Sequence, residues 1–205
     1  MKSFSKMFLF SAMVLGLTAG SASAQGVAHG RVTRKNSAGG TTTAGGTAAK
    51  GPNGGAAVRG GAVATNGQGG VAAAHGSAAR GPNGGVAARG AETTSNGQGQ
   101  GQRTSGGAFK GPNGVQGSRK SGTQVNDGNV THQGSAQASG KNGSVQTSGS
   151  SQRTANGQTS GQRDTTATGK NGDTYNGTTT YQTGQGVQHS GTCTNSSGQT
   201  IPCKQ

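Results

Sequence analysis

Residues 81–110 read GPNGGVAARGAETTSNGQGQGQRTSGGAFK, and residue 111 restarts the phrase with GPNG. Two turn signals alternate in this stretch. Gly81-Pro82-Asn83-Gly84 opens it and Asn96-Gly97-Gln98 divides it, with Gly85 to Ser95 between them. Pro fixes φ at the first turn position and leaves Asn or Gly to take the left-handed conformation. Asn-Gly accepts positive φ at both central positions of a type I′ turn, whose twist suits a hairpin. The residues between are Val, Ala, Thr, Ser, Gln and Arg, long enough for one strand. This stretch therefore predicts β-strands joined by tight turns.

The same phrase extends in both directions. GPNG stands at Gly51, Gly81 and Gly111, and GKNG at Gly140 and Gly169, so the period is almost constant along the chain. The candidate turn residues are Asn53, Gly54, Asn83, Gly84, Asn113 and Gly114. Midway lie Asn66-Gly67-Gln68, Asn96-Gly97-Gln98, Asn126-Asp127-Gly128, Asn156-Gly157-Gln158 and Gly184-Gln185-Gly186. The elementary unit is about 15 residues of strand and turn, and about a dozen units fit the chain. No window carries an apolar period near 3.6, so no helix is expected after Ala24.

Two architectures fit this period: an antiparallel meander, or a β-solenoid with 30-residue rungs. Lys50, Arg80 and Lys110 recur in step with the GPNG phrase, as do Arg59, Arg89 and Arg119. A solenoid would stack these like charges on adjacent strands, which is destabilising. A meander leaves a neutral strand between them and is the expected fold. A chain that stays disordered until it assembles is the other alternative. Val86, Val130, Val145 and Val187 each precede a mid-strand Gly by four positions (Gly90, Gly134, Gly149, Gly191) and are expected to share one face with it. Such faces of Val and Gly are expected to let two sheets approach closely.

Composition narrows the function classes. From Gln25 to Gln205 the large apolar side chains are eleven Val, Ile201, Phe109, Tyr175 and Tyr181, and no others. That is too few to offset the backbone entropy of a conventional globular enzyme. An outer-membrane barrel fails too, because it needs a lipid-facing apolar band and aromatic girdles.

Residues 1–24 read as a signal peptide. Lys2 and Lys6 precede the apolar run MFLFSAMVLGL (residues 7–17), and Ala22-Ser23-Ala24 gives a small-x-small cleavage pattern. Export would leave no transmembrane segment and would place the chain outside the cell, at its surface or in the periplasm. Cleavage removes two of the 18 basic residues and none of the four acids, turning a net +14 into +12. Residues 25–37 read as a basic, flexible lead-in, and residues 38–205 as the repeat array. Cys193 and Cys203 are expected to pair in an oxidising compartment and clip a C-terminal hairpin.

No catalytic constellation emerges. Glu92, Asp127, Asp164 and Asp173 are far apart in sequence, and acid/base work needs paired carboxylates. His75, His132 and His189 follow one another at equal intervals, and His29 precedes them. A meander would put the last three on every fourth strand, about 19 Å apart, too far to share a metal. No cofactor, metal or phosphate-loop motif is implied. The basic residues Lys50, Arg59, Arg80, Arg89, Lys110 and Arg119 form the candidate polyanion-contact set. Sequence-specific nucleic-acid reading is not expected from a chain with so few aromatic platforms.

The signal peptide, the Gly/Asn/Gln/Ser/Thr richness and the short strand-turn repeat resemble secreted bacterial β-repeat surface proteins, loosely including curli-type fibre subunits. The resemblance implies a non-enzymatic structural protein of matrix, adhesion or fibres that can self-assemble. The alternative expectation is a monomeric protein that binds anionic polymers or surfaces such as polysaccharide, lipopolysaccharide or extracellular DNA.

Overall fold

A computed structural model describes residues 25–203. The signal-peptide reading of residues 1–24 lies outside these residues. The described chain is all-β: β1 (Gly26–Lys35), β2 (Thr41–Lys50), β3 (Ala56–Thr65), β4 (Val71–Arg80), β5 (Val86–Ser95), β6 (Gln100–Lys110), β7 (Gln116–Asn126), β8 (Asn129–Gly140), β9 (Gly143–Arg153), β10 (Thr159–Gly169), β11 (Thr174–Gln182), β12 (Gly186–Thr194) and β13 (Thr200–Ile201). The strands lie in chain order in one sheet. Every pair is antiparallel, so the meander holds, and the parallel rungs of a solenoid are absent among the described residues. Each strand touches only its chain neighbours; the sheet neither closes nor folds over on itself. The expected close approach of two sheets therefore does not occur within one chain.

The stretch at 25–37 departs from expectation. It is no flexible lead-in: Gly26–Lys35 pairs with β2 over its whole length, from Gly26 with Lys50 to Lys35 with Thr41. Its turn, Asn36 to Gly40, supplies the same Asn-and-Gly chemistry as the later ones. The array starts one unit earlier than composition suggested, because backbone pairing needs no large side chains.

The turns split into two edges. On one edge Gly51 N–H donates to Gly55 O at 2.8 Å around Pro52-Asn53-Gly54, and Gly54 has φ 82°. This is a three-residue loop with glycine in the left-handed position. Gly84 and Gly114 repeat it with φ 84° and 78°, while Asn53, Asn83 and Asn113 keep negative φ. On the other edge the expected type I′ turns are mostly absent. Asn66 Oδ1 accepts from Gln68 N (2.9 Å) and Gly70 N (2.8 Å), and Asn66 N–H donates to Gly70 O at 3.1 Å. Asn36 and Asn96 cap their loops in the same way, and so does Asn195 on the first edge, after β12. The side-chain amide closes a wider loop, so Gly67 and Gly69 take the positive φ and Asn66 does not. Among the described residues only Asp127-Gly128 pairs a non-glycine residue at positive φ with a glycine at positive φ, 49° and 82°.

There is hardly a core. Among the described residues Ala72 is the one buried hydrophobic side chain, at 5% exposure. Cohesion comes from the backbone ladder and from three aromatic rings that each cover glycine. Phe109 lies over its cross-strand partner Gly117, and Tyr181 over its partner Gly161. Tyr175 lies over Gly177 and Gly191, and Gly177 is buried beneath it. A ring laid across a strand glycine supplies the contact that residue lacks.

Candidate functional site

With no interior, the sheet offers two faces and two edges. Cross-strand register assigns each residue to a face, because directly opposed residues project to the same side. One face carries His29, His75, His132 and His189, and also Phe109, Tyr175 and Tyr181. We call it the histidine face. The opposite one is the glycine face. On it Gly30, Gly46, Gly60, Gly76, Gly90 and Gly106 are paired one to the next across β1–β6.

The six residues expected to contact polyanions do not form one site. Arg59, Arg89 and Arg119 stand in a single row of the histidine face, on β3, β5 and β7. Lys50, Arg80 and Lys110 stand in a row of the glycine face, on β2, β4 and β6. Lys50 pairs with Ala56, and Arg59 stands three positions further along β3, so strand alternation puts the two on opposite faces. Along each row the cations are two strands, or about 9.6 Å, apart.

The charge is unevenly divided. The histidine face bears Arg31, Lys35, Arg59, Arg89, Arg103, Arg119, Arg153 and Arg163, and no strand Asp or Glu. The glycine face bears Arg34, Lys50, Arg80, Lys110 and Lys120 with Glu92 and Asp164. Glu92 lies on β5 and Asp164 on β10, and Asp127 and Asp173 lie in turns. Several arginines are braced: Arg89 Nε donates to Ser77 Oγ at 3.1 Å and Arg163 Nε to Thr147 Oγ1 at 2.9 Å. Each such bond uses one of five guanidinium N–H donors.

Beside the row of Arg59, Arg89 and Arg119 runs an apolar row: Ala49, Ala57, Ala79, Ala87, Phe109, Gly117, Ala138, Val145 and Ala167. From β2 to β9 the two rows, Gly117 excepted, line a shallow trough of about 880 Å³. The glycine face is different again. Over β1–β6 its glycine row is flanked by Ala28, Ala48, Val58, Ala78, Ala88 and Ala108 on one side. From β7 onward the row continues as Lys120, Ser135, Ser148, Asp164, Thr178 and Ser190.

The repeated spacing made the mid-strand glycines legible, but their grouping on faces was not. Each of the four valines does share a face with its glycine, yet the four pairs do not share one face of the sheet. Val86 and Gly90 lie on the glycine face, whereas Val130 with Gly134, Val145 with Gly149 and Val187 with Gly191 lie on the other. Register also reveals a cluster that spacing alone did not indicate. His189 Nε2 is 2.9 Å from Tyr175 Oη, and its Nδ1 is 2.8 Å from Thr179 Oγ1. The imidazole holds Tyr175 down on its two glycines. Three His, Cys, Asp or Glu side chains do not gather into a metal-ligating group anywhere among the described residues.

The edges differ as well. β1 carries Arg31, Arg34 and Lys35, cations that discourage strand addition. β12 carries no Lys, Arg, Asp or Glu between Gly186 and Thr194, and Val187 there is 73% exposed. β13 covers only its last two positions, Cys193 and Thr194. Cys193 and Cys203 form a disulfide with Cα atoms 5.3 Å apart, which ties the chain end to β12. That bond points to an oxidising setting. No helix among the described residues is long and apolar enough to cross a membrane.

No protein-family model, curated protein or solved structure matches the chain.

Proposed function

We propose that the chain is a non-enzymatic structural protein of an exported, extracytoplasmic matrix or fibre, and that copies layer through the small-residue half of the glycine face. The observation that carries this reading is the single-layer sheet with one buried hydrophobic residue among those described. An isolated layer of this kind leaves its apolar atoms in water, and a second layer removes them.

The glycine row supports it. Within the sheet, a Cβ on Gly46, Gly60, Gly76, Gly90 or Gly106 would meet one neighbouring carbonyl oxygen at 3.2–3.4 Å, and on Gly30 nothing at all. A shift of a few tenths of an ångström would accommodate these methyls. The chain's own packing scarcely calls for glycine there, whereas another backbone approaching from outside does. The whole glycine face of β1–β6, with Glu92 beside the glycine row and Arg34, Lys50, Arg80 and Lys110 toward its ends, measures about 29 by 33 Å, or about 950 Å². A face-to-face pair would cover about 1,900 Å² in total, the size of a specific interface. Lys50, Arg80 and Lys110 rim one end of the patch. Copies related by an axis across the strands keep those rims at opposite ends and avoid like-charge contact.

Sedimentation and fibre diffraction of the disulfide-intact chain test the reading. Assembly with concentration and a strand reflection near 4.7 Å is expected, with an intersheet spacing well below the usual value of about 10 Å. Gly60→Ala/Gly76→Ala/Gly90→Ala should abolish layering while leaving the strand spectrum unchanged. A wild-type chain that stays monomeric at high concentration, with no such reflections, would sink the proposal.

A further inference from the structure

We infer that the histidine face is a binding surface for a linear acidic polysaccharide of low charge density, lying across the strands along the row of Arg59, Arg89 and Arg119. This goes beyond the structural reading above and uses the opposite face of the sheet.

Sign of charge comes first. Eight strand cations share this face with no strand carboxylate, so nothing on it neutralises or repels an anionic ligand. The glycine face, built on the same backbone, mixes its five cations with Glu92 and Asp164. Both strand acids stand on the far side of the sheet from the row of Arg59, Arg89 and Arg119.

Direction and spacing come next. The trough crosses β2 to β9, about 34 Å at the usual strand separation, so its occupant is extended and runs perpendicular to the strands. Its cations stand at every second strand, about 9.6 Å apart. Double-stranded DNA carries one charge per about 1.7 Å of axis, far denser than this row. A polysaccharide with one carboxylate on every second sugar matches the spacing. The sites between the arginines are neutral Ser77 and Gly107, which suit uncharged sugars.

The floor agrees. Next to the cationic row lie Ala79, Ala87, Phe109 and Val145, apolar groups that accept the C–H faces of sugar rings. The one aromatic ring in the trough, Phe109, already lies over Gly117 and offers no ladder of platforms for bases. Arg89 is held by Ser77, so part of its ordering cost is met before the ligand arrives.

The test compares two charge-matched variants of the full chain, disulfide intact. One is Arg59→Gln/Arg89→Gln/Arg119→Gln. The other is Lys50→Gln/Arg80→Gln/Lys110→Gln, with the same charge loss and strand spacing on the opposite face. Binding of fluorescent hyaluronate, with one carboxylate per disaccharide, and of a DNA duplex is measured at fixed ionic strength of about 0.15 M. The first variant should lose hyaluronate affinity about tenfold or more, the second less than about threefold. The wild-type chain should bind hyaluronate more tightly than the duplex. Equal loss in both variants would show that net charge alone is read and would overturn the proposal, as would tighter binding of the duplex. Sedimentation in the same buffer separates this result from assembly: loss of layering with retained hyaluronate binding would fail only the structural reading. Should the first triple lose its strand spectrum, Arg89→Gln against Arg80→Gln makes the same comparison with a smaller expected difference, about threefold.

Discussion

Strands β2–β6 and β8–β12 have the same backbone and nearly the same length, yet they hold themselves together differently. In the first group the two central rows of the glycine face are alanine, glycine and valine, with Glu92 beside them and Lys50, Arg80 and Lys110 at one end, and few side chains there bond across strands. In the second, hydroxyls and amides join neighbours on both faces. Thr166 Oγ1 donates to Asn176 Oδ1 at 2.8 Å, Thr178 Oγ1 to Asp164 Oδ1 at 2.7 Å, and Gln152 Nε2 to Ser160 Oγ at 3.1 Å. Tyr175 and Tyr181 cover glycines there, and the disulfide closes the end. Backbone pairing sets the architecture in both halves. What differs is completeness: the C-terminal strands supply their own side-chain contacts, whereas the N-terminal strands expose rows of small residues that a second layer would cover.

The largest test of this contrast is removal of the disulfide. Cys193→Ser/Cys203→Ser opens a loop with a sequence separation of 10, and chain entropy puts the loss at about 3 kcal/mol. Urea unfolding followed by site-resolved hydrogen exchange should show the loss in β11–β13 and leave β2–β6 unchanged. A uniform loss would mean that the two halves unfold as one unit.

Tyr175→Ala comes next, with an expected cost of about 1–2 kcal/mol. It uncovers Gly177 and Gly191 and removes one partner of His189. Amides of β11 and β12 should exchange faster than those of β4 and β5. Tyr175→Phe, which keeps the ring and loses the hydroxyl, should recover more than half of the loss.

The smallest change probes the other half. Asn66→Ala removes acceptors for Gln68 N and Gly70 N between β3 and β4, at about 0.5–1.5 kcal/mol. Because those strands have few other cross-strand side-chain bonds, their local opening should rise more than that of β9 and β10 after Asn156→Ala. There Thr154 closes the loop with its side chain as well, its Oγ1 donating to Gln158 O at 3.2 Å, while Asn156 Oδ1 accepts from Gln158 N at 3.4 Å. Equal responses would erase the proposed difference between the halves.

Much of this was readable in residues 81–110. Turn residues demand particular φ values from their own side chains and backbone, so Pro-Asn-Gly and Asn-Gly declare hairpins without tertiary help. Cysteine spacing near the chain end declared the clip in the same local way. The details that failed are those in which a side chain reaches beyond its nearest neighbours. Asn66 does so when it binds Gly70 N and widens a loop that was expected to be type I′.

The period, the antiparallel pairing and the shortage of core were thus determined by the sequence alone, since each follows from local turn chemistry and composition. Which residues share a face was decided only in the assembled sheet. The histidine face takes odd-numbered residues in every strand from β1 to β12 except β8, where it takes even ones. The reason is the pair of tight turns flanking β8: Asn126 pairs with Asn129, and Gly140 with Gly143. Each is one residue shorter than the three-residue loops elsewhere and inverts the alternation. His132 thereby joins His29, His75 and His189 instead of facing away from them, because side chains alternate with period two and one residue in a turn shifts every position that follows.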